Sequence, residues 1–346
     1  MNYSRILIHE FLQQKGLLVD VRTPSEYGHA HIPGAVNLPI FDDEERKIVG
    51  TTYKQNSRET AIKIGLDFFG PKMRKMVEEV EGLAPRASNI RLYCWRGGMR
   101  SAAIAWLLNM YGFKVSVLMG GYKSFRNLVL QTFEQPYTFH VLGGFTGSGK
   151  TEVLQELKSK SERVIDLEAI ASHKGSAFGS IGMPKQPSQE MFENNLAIEL
   201  LHYSQLSTHR SPIWLEDESQ RIGAVNIPAA FWKNMRQSPV YFLDIPFEER
   251  LIHLVSEYGN CDKAILSAAI ERISKRLGGL ETKNALTALA EDKIKECFAI
   301  LLRYYDKHYL KGLHNRENLE QLLTKISCEK VDSNNANLLS IKTMPA

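Results

Sequence analysis

The feature that most restricts how this chain can fold is the run Gly144-Phe145-Thr146-Gly147-Ser148-Gly149-Lys150-Thr151. It is a complete G-x-x-x-x-G-K-[ST] phosphate loop, which works only between a strand and a helix. Both flanks are legible. Tyr137-Thr138-Phe139-His140-Val141-Leu142 has the composition of a strand feeding the loop, and a helical pattern runs from Thr151 to about Lys160. Three more short apolar runs follow: Arg163-Val164-Ile165-Asp166, Pro212-Ile213-Trp214-Leu215 ending in Glu216-Asp217-Glu218, and Pro239-Val240-Tyr241-Phe242-Leu243-Asp244. Strands alternating with helices predict a parallel sheet with its ligand at the C-terminal strand ends.

A second α/β pattern precedes this one. Gly16 to Arg22, Asn89 to Cys94 and Lys114 to Met119 read as strands, and Arg100 to Met110 reads as a helix with Ala103, Ile104, Leu107 and Leu108 on one face. The polar stretch 41–60 reads as a loop and helix on the active face. From about residue 247 the strand signals stop. Phe247–Tyr258, Cys261–Leu277, Lys283–Tyr309 and Glu317–Ile326 read as helices, broken at Gly278-Gly279 and near Gly312. The asparagine- and serine-rich end from Glu329 reads as a poorly ordered tail. The expected division is 1–135, 136–246, a helical region 247–328 and the tail 329–346.

Bulk properties narrow the classes. A chain of 346 residues is long for one core. Its 43% apolar and 24% charged residues are ordinary for a globular protein, and a net charge of +4 is at most a mild invitation to an anionic partner. Cys94, Cys261, Cys297 and Cys328 are scattered with no C-x-x-C pair, which argues against a zinc site or a disulfide framework. The start lacks a secretory pattern, and the most apolar runs are too short to span a bilayer. A cytoplasmic location with no membrane partner is the expectation.

Chemistry concentrates in two loops. In Cys94-Trp95-Arg96-Gly97-Gly98-Met99-Arg100-Ser101 a cysteine ends a strand and precedes a helix. Backbone N–H groups and the helix dipole there favour a thiolate, and Arg96 and Arg100 add donors for an oxyanion. In the phosphate loop, Gly144, Gly147 and Gly149 let N–H groups converge on phosphate oxygens. Lys150 reaches the terminal phosphates, and the Thr151 hydroxyl is placed for Mg²⁺. Glu216, Asp217, Glu218 and Asp166, at neighbouring strand ends, are candidates for holding that metal directly or through water. The bland alternative for the acidic trio is a solvated turn. His173-Lys174-Gly175-Ser176-Ala177-Phe178-Gly179 is a candidate substrate loop, with His173, Lys174, Ser176 and Phe178 as its chemical members. Phe145, Phe178 and Met183 are candidates for an apolar wall. Arg272, Lys275 and Arg276, with the run Arg303-Tyr304-Tyr305-Asp306-Lys307-His308-Tyr309, suit a phosphate backbone and stacked bases, or a solvated face over a tyrosine-rich core.

Two resemblances sharpen these expectations. Asp20 to Tyr27, His29 to Pro39, the Cys94 loop and Gly120-Gly121-Tyr122 resemble the rhodanese family, which implies a rhodanese-like parallel-sheet domain and a cysteine that handles sulfur or selenium. The arginine six positions after Cys94 makes the loop longer than in many rhodaneses and like that of related phosphatases, so phosphatase chemistry competes on this loop alone. Taken whole, with a P-loop NTPase-like α/β domain and a C-terminal helical region, the chain resembles the bacterial tRNA 2-selenouridine synthase family. The residues that carry this are the two loops, Asp166-Leu167-Glu168, His173 to Gly179 and Leu277-Gly278-Gly279.

That resemblance implies a tRNA carrying 2-thiouridine at the wobble position as partner. Geranyl diphosphate and selenophosphate are the implied substrates, no cofactor is tightly bound, and Mg²⁺ is a candidate ion. It further implies S-geranylation followed by replacement of sulfur by selenium; set against those two steps, the loops lead to the expectation that Lys150 serves the first and Cys94, as carrier or positioned thiolate, the second. The alternatives are an ATP-dependent tRNA sulfurtransferase, a kinase fused to a rhodanese sulfur carrier, or a catalytically idle rhodanese fold used for docking.

Overall fold

The computed structural model describes residues 3–205 and 211–343. The chain divides into two compact units, one running up to Thr132 together with Glu193–Ile198, the other comprising Phe133–Phe192 and the chain from Glu199 on.

The first unit is built on a five-stranded, all-parallel sheet. Its strands are β1 (Ser4–Ile6), β2 (Leu17–Asp20), β3 (Val36–Asn37), β4 (Asn89–Tyr93) and β5 (Lys114–Leu118), in the order β1-β5-β4-β2-β3. Central β4 is buried along most of its length and delivers Cys94 at its C-terminal end. Residues 41–60 are more helical than the sequence suggested. Helices Asp43–Gln55 and Arg58–Phe69 cover the stretch, followed by Met73–Leu83. Asp42 and Glu45 close a reciprocal capping box on the first of these, satisfying N–H groups that would otherwise lack partners. The core gathers Val19, Val21, Ile90, Leu92, Ile104, Leu108 and Val117 between sheet and helices.

The second unit carries β6 (Phe139–Gly144), β7 (Arg163–Ile165), β8 (Ile213–Glu216), a small antiparallel pair β9 (Arg221–Ile222) and β10 (Val225–Asn226), then β11 (Val240–Asp244) and β12 (Leu323–Ser327). The five long strands form a parallel sheet ordered β12-β11-β6-β8-β7. Three expectations are corrected here. Residues 317–326 are not one helix: a single turn at Leu319–Leu322 leads into β12, which pairs with β11 from Val240↔Leu323 to Asp244↔Ser327. The 283–309 stretch is two helices, Gly279–Ala290 and Ile294–His314, separated at Asp292 in the left-handed region (φ 61°). The tail is ordered too as far as Thr343. Residues Ser333–Asn335 and Ala336–Thr343 are helical, and Val331, Ala336 and Leu339 pack with Val153, Leu154 and Leu157 behind the phosphate loop. The helices between β11 and β12 have their own core around Leu254, Ile270, Leu289, Phe298 and Leu302.

Candidate active site

The Cys94 loop is held from beneath by the segment after β5. Tyr122 N–H donates to Cys94 O (2.8 Å), Lys123 N–H to Trp95 O (3.0 Å), and Arg5 to Gly97 O (2.8 Å). Gly121 sits at φ 60°, and a Cβ there would stand 2.2 Å from Cys94 O and 2.5 Å from Gly97 N, so only glycine closes this turn. The rhodanese-like signature turns out to be a buried brace. Arg22, 1% exposed, pairs with Asp20 at 2.6 Å, donates to Ala30 O at 2.7 Å and lies over the Tyr122 ring at 3.9 Å.

Cys94 is itself 3% exposed, at the mouth of the helix Met99–Tyr111. Burial pushes its thiol up. The Ser101 hydroxyl, the Arg100 charge and the N–H groups of Ser101 and Arg96 push harder the other way, and the net shift is downward. Ser101 Oγ lies 3.3 Å from Cys94 Sγ and 3.1 Å from Gly98 O. With one proton to give, Ser101 donates to the sulfur when Cys94 is ionised and to Gly98 when it is not. Arg100 is already engaged: it grips Glu26 at 2.7 and 3.4 Å. Arg96 is exposed on the rim.

In the second unit the strand ends open onto a cavity of about 740 Å³. That lies within the range of about 300–1,000 Å³ usual for small-molecule sites. Gly144, Gly147, Gly149, Lys150, Thr151, Asp166, Lys174, Ser176, Phe178, Met183, Glu216, Asp217 and Arg276 line it. Four other expected residues stand elsewhere. Phe145 packs edge-on against Phe242 at 5.1 Å, and its face meets the Arg250 guanidinium at 4.7 Å. His173 is buried behind its loop, where burial and the Arg272 charge hold its pKa down. Arg272 and Lys275 are exposed on the helix Lys263–Leu277, away from the lining.

Lys150 donates to Gly144 O at 3.1 Å and stands 3.5 Å from Glu216 Oε1. Glu216 faces Glu168 and Glu218, and one carboxylate oxygen from each lies within 4.8 Å of the others. Burial, then mutual repulsion, pushes Glu168 up to about 10 and Glu218 up to about 8; Glu216 is raised as well. Glu216 Oε2 is buried without a hydrogen-bond partner. This three-carboxylate pocket beside the lysine fits a cation. Asp217 does not belong to it: its carboxylate accepts from Arg316 (3.0 Å) and Tyr309 Oη (2.8 Å). Asp166 spends a carboxylate oxygen capping the next helix, accepting from Ala169 N–H at 2.8 Å.

Several residues escaped the sequence reading. Tyr309, expected on a nucleic-acid face, accepts the Gly144 N–H at 3.2 Å and so anchors the first residue of the phosphate loop. Arg250, 3% exposed, donates to Thr146 O at 3.1 Å and grips Asp306 with two bonds of 2.8 Å. Tyr305 is half-buried and its hydroxyl accepts the Ala177 N–H at 3.2 Å, tying the His173–Gly179 loop to the helix Ile294–His314. From that run Tyr304, Tyr305, His308 and Tyr309 all line the cavity, the rings of Tyr304 and His308 lying 4.4 Å apart.

Comparison with known proteins matches both halves of the chain. Residues 137–336 match the family model of the tRNA 2-selenouridine synthase AAA domain, and residues 7–128 match the rhodanese-like domain. The chain belongs to the tRNA 2-selenouridine synthase family. Family members so named include one from Nitrosomonas eutropha, 34% identical over 87% of this chain and 89% of its own length. One from Bordetella petrii is 35% identical over 84% and 85%, and one from Nitrosomonas europaea 40% identical over 70% and 63%. Among the described residues no helix is long and apolar enough to cross a membrane.

Proposed function

We propose that this protein replaces sulfur by selenium in the wobble 2-thiouridine of tRNA, in two steps served by its two loops. In the first, the thiocarbonyl sulfur attacks C1 of geranyl diphosphate. A C–S bond forms, the C1–O bond breaks with its electron pair leaving on diphosphate, and the N3 proton is lost. In the second, the selenium of selenophosphate attacks C2 and the C2–S bond breaks, the sulfur taking a proton and departing as geranylthiol; water then attacks phosphorus, the P–Se bond breaks with its electron pair on selenium, and phosphate leaves. Alkylation is what makes the exchange feasible, because a thiocarbonyl sulfur is a poor leaving group and an S-alkyl sulfur leaves as a neutral thiol.

The observation that carries the reading is the pairing, in a chain of this family, of an activated cysteine with a phosphate loop whose lysine faces a ligand-sized cavity. Backbone N–H groups of Gly147 to Thr151 and the Lys150 ammonium stabilise the charge growing on departing diphosphate. Lys150 exchanges its bonds to Gly144 O and Glu216 for phosphate oxygens. Thr151 with Glu216, Glu168 and Glu218 would hold a Mg²⁺ ion, which neutralises diphosphate charge when bound. Met183 and Phe178 supply apolar cavity wall for the prenyl chain. Cys94 serves the selenium step, its thiolate beside the bound selenophosphate.

The test is nucleoside mass spectrometry on 2-thiouridine-containing tRNA incubated with protein, geranyl diphosphate and selenophosphate. The reading requires 2-selenouridine with both donors and a geranylated nucleoside when selenophosphate is omitted. Lys150→Ala should abolish geranylation, and Cys94→Ser should leave geranylated tRNA accumulating. Normal geranylation by Lys150→Ala, or its loss in Cys94→Ser, would overturn this division of labour.

A further inference from the structure

Of the two arginines in the Cys94 loop, one is spent on Glu26 and the other sits on the rim, so neither is a free, enclosed donor for an anion held against the sulfur. Glu26 also accepts the Thr23 N–H at 3.1 Å, and Arg100, Thr23 and Arg22 together hold it ionised against the pull of burial. The Arg100 charge is therefore largely neutralised by a fixed carboxylate.

A third arginine lies within reach of the charges of this site. Arg46 lies in the first turn of the helix Asp43–Gln55, half-buried, and its guanidinium has no hydrogen bond or ion pair among the described residues. Its position is fixed by its helix. Asp42 and Glu45 cap that helix, and Ser25 Oγ donates to Asp43 Oδ1 at 2.5 Å, tying it to the Thr23–Glu26 turn that also holds Arg100. A Cβ at Gly50 would lie 2.5 Å from Arg46 Nη1, so the bare glycine one turn on leaves the guanidinium its room. The charges that act on Arg46 are those of Arg100, Glu26 and Cys94.

We propose that Arg46 is the anion-holding arginine of the Cys94 site, gripping the oxygens of a tetrahedral phosphoryl group whose chalcogen faces the sulfur. A half-buried guanidinium beside another cation, with its donors unused by the protein, is placed to take a dianion, which supplies acceptors and offsets the repulsion from Arg100. Burial and the Arg100 charge hold the Arg46 pKa down, as expected for a cation that lacks its counter-ion. The inference rests on the proposed function for the identity of the ligand, selenophosphate, and on the side chains for the site.

The experiment uses thiophosphate, which shares the shape and charge of selenophosphate, to protect Cys94 of the full-length protein from iodoacetamide; the Cys94 peptide is quantified by mass spectrometry. Wild type should be protected. Arg46→Gln should need at least tenfold more thiophosphate for half-protection, about 1.4 kcal/mol. Arg46→Lys should fall between them, keeping the charge but losing the fork. Equal protection of wild type and Arg46→Gln would overturn the proposal, as would no protection of wild type. An Arg46→Gln protein that keeps its protection but binds 2-thiouridine tRNA more weakly would also overturn it, placing Arg46 on RNA phosphates instead. Protection requires neither geranylation nor selenation. A protein inert in the nucleoside assay but protected through Arg46 would thus refute the reaction and leave the site standing.

Discussion

Replacing Glu168 by glutamine should make the protein less sensitive to alkaline pH, and the size of the effect follows from the carboxylate pocket. Glu168 keeps its proton to about 10 when folded, because it is buried and faces Glu216 and Glu218. In the unfolded chain it releases that proton at an ordinary value near 4.5. Its folded pKa is raised, so the stability it contributes is present at low pH and is lost progressively as pH rises toward the folded value. Between pH 6 and 8 the native protein holds a proton on Glu168 that the unfolded chain does not, and this one group, apart from its raised neighbours Glu216 and Glu218, sets the difference that the glutamine variant reads. Each pH unit then costs about 1.4 kcal/mol, or roughly 2.7 kcal/mol across the interval.

Glutamine mimics the neutral carboxyl and has no proton to lose. Urea denaturation of wild type and Glu168→Gln at pH 6, 7 and 8 should show the wild-type midpoint falling with pH and the variant's falling less. The gap between them should widen by about 1.4 kcal/mol per unit. Parallel pH profiles would refute the claim that Glu168 is protonated in the folded protein. Saturating Mg²⁺ should flatten the wild-type profile, since a cation in the pocket replaces the proton.

Other expectations are independent of that pocket. Gly121→Ala forces a left-handed backbone and a contact with Cys94 O, a combined cost of about 2–5 kcal/mol, which should appear as a lowered denaturation midpoint together with altered Cys94 alkylation. An unchanged protein would mean the turn is looser than its geometry indicates. Ser101→Ala removes the hydroxyl that lowers the Cys94 pKa, so the pH for half-maximal alkylation should move up; a downward move would reverse the role assigned to Ser101. Arg250→Ala leaves Asp306 and Thr146 O without their donor. It should destabilise the protein by about 3–5 kcal/mol in denaturation, and a cost under 1 kcal/mol would show that the buried pair is not what holds the phosphate loop from below.

What the sequence reveals of this molecule is what is local. The strand before the phosphate loop, the loop and its helix are contiguous, as are β4, Cys94 and the helix after it, so short-range pattern suffices for both. β12 is invisible for a physical reason. It is an edge strand whose members are mostly half-buried or exposed, with Ile326 alone fully buried, and such a stretch has no apolar run to betray it. The ordered tail is similar, since Ala336 and Leu339 are a slender signal amid polar neighbours. The break at Asp292 carries no glycine or proline. In the sites, the motif glycines, Lys150 and Cys94 stand out because their chemistry needs a fixed spacing. Tyr309, Arg250, Glu26 and Arg46 reach their loops from remote parts of the chain, and only the tertiary fold brings them there.

The parallel pairing of β11 with β12 has a consequence for how this protein is made. Seventy-eight residues separate Asp244 from Leu323, and all of the helices between them must leave the ribosome before the sheet's last strand can dock. Tyr309, Arg316 and the tail beside Gly149 arrive in that same late interval. A nascent chain therefore carries its phosphate loop exposed and unbraced until synthesis is nearly complete. The rhodanese-like strands and their cysteine turn, by contrast, are all in hand by residue 123. The order of translation completes the cysteine-bearing unit first and the phosphate-loop unit last, so a chain that stalls before β12 should keep its cysteine turn while its phosphate loop lacks the contacts that brace it.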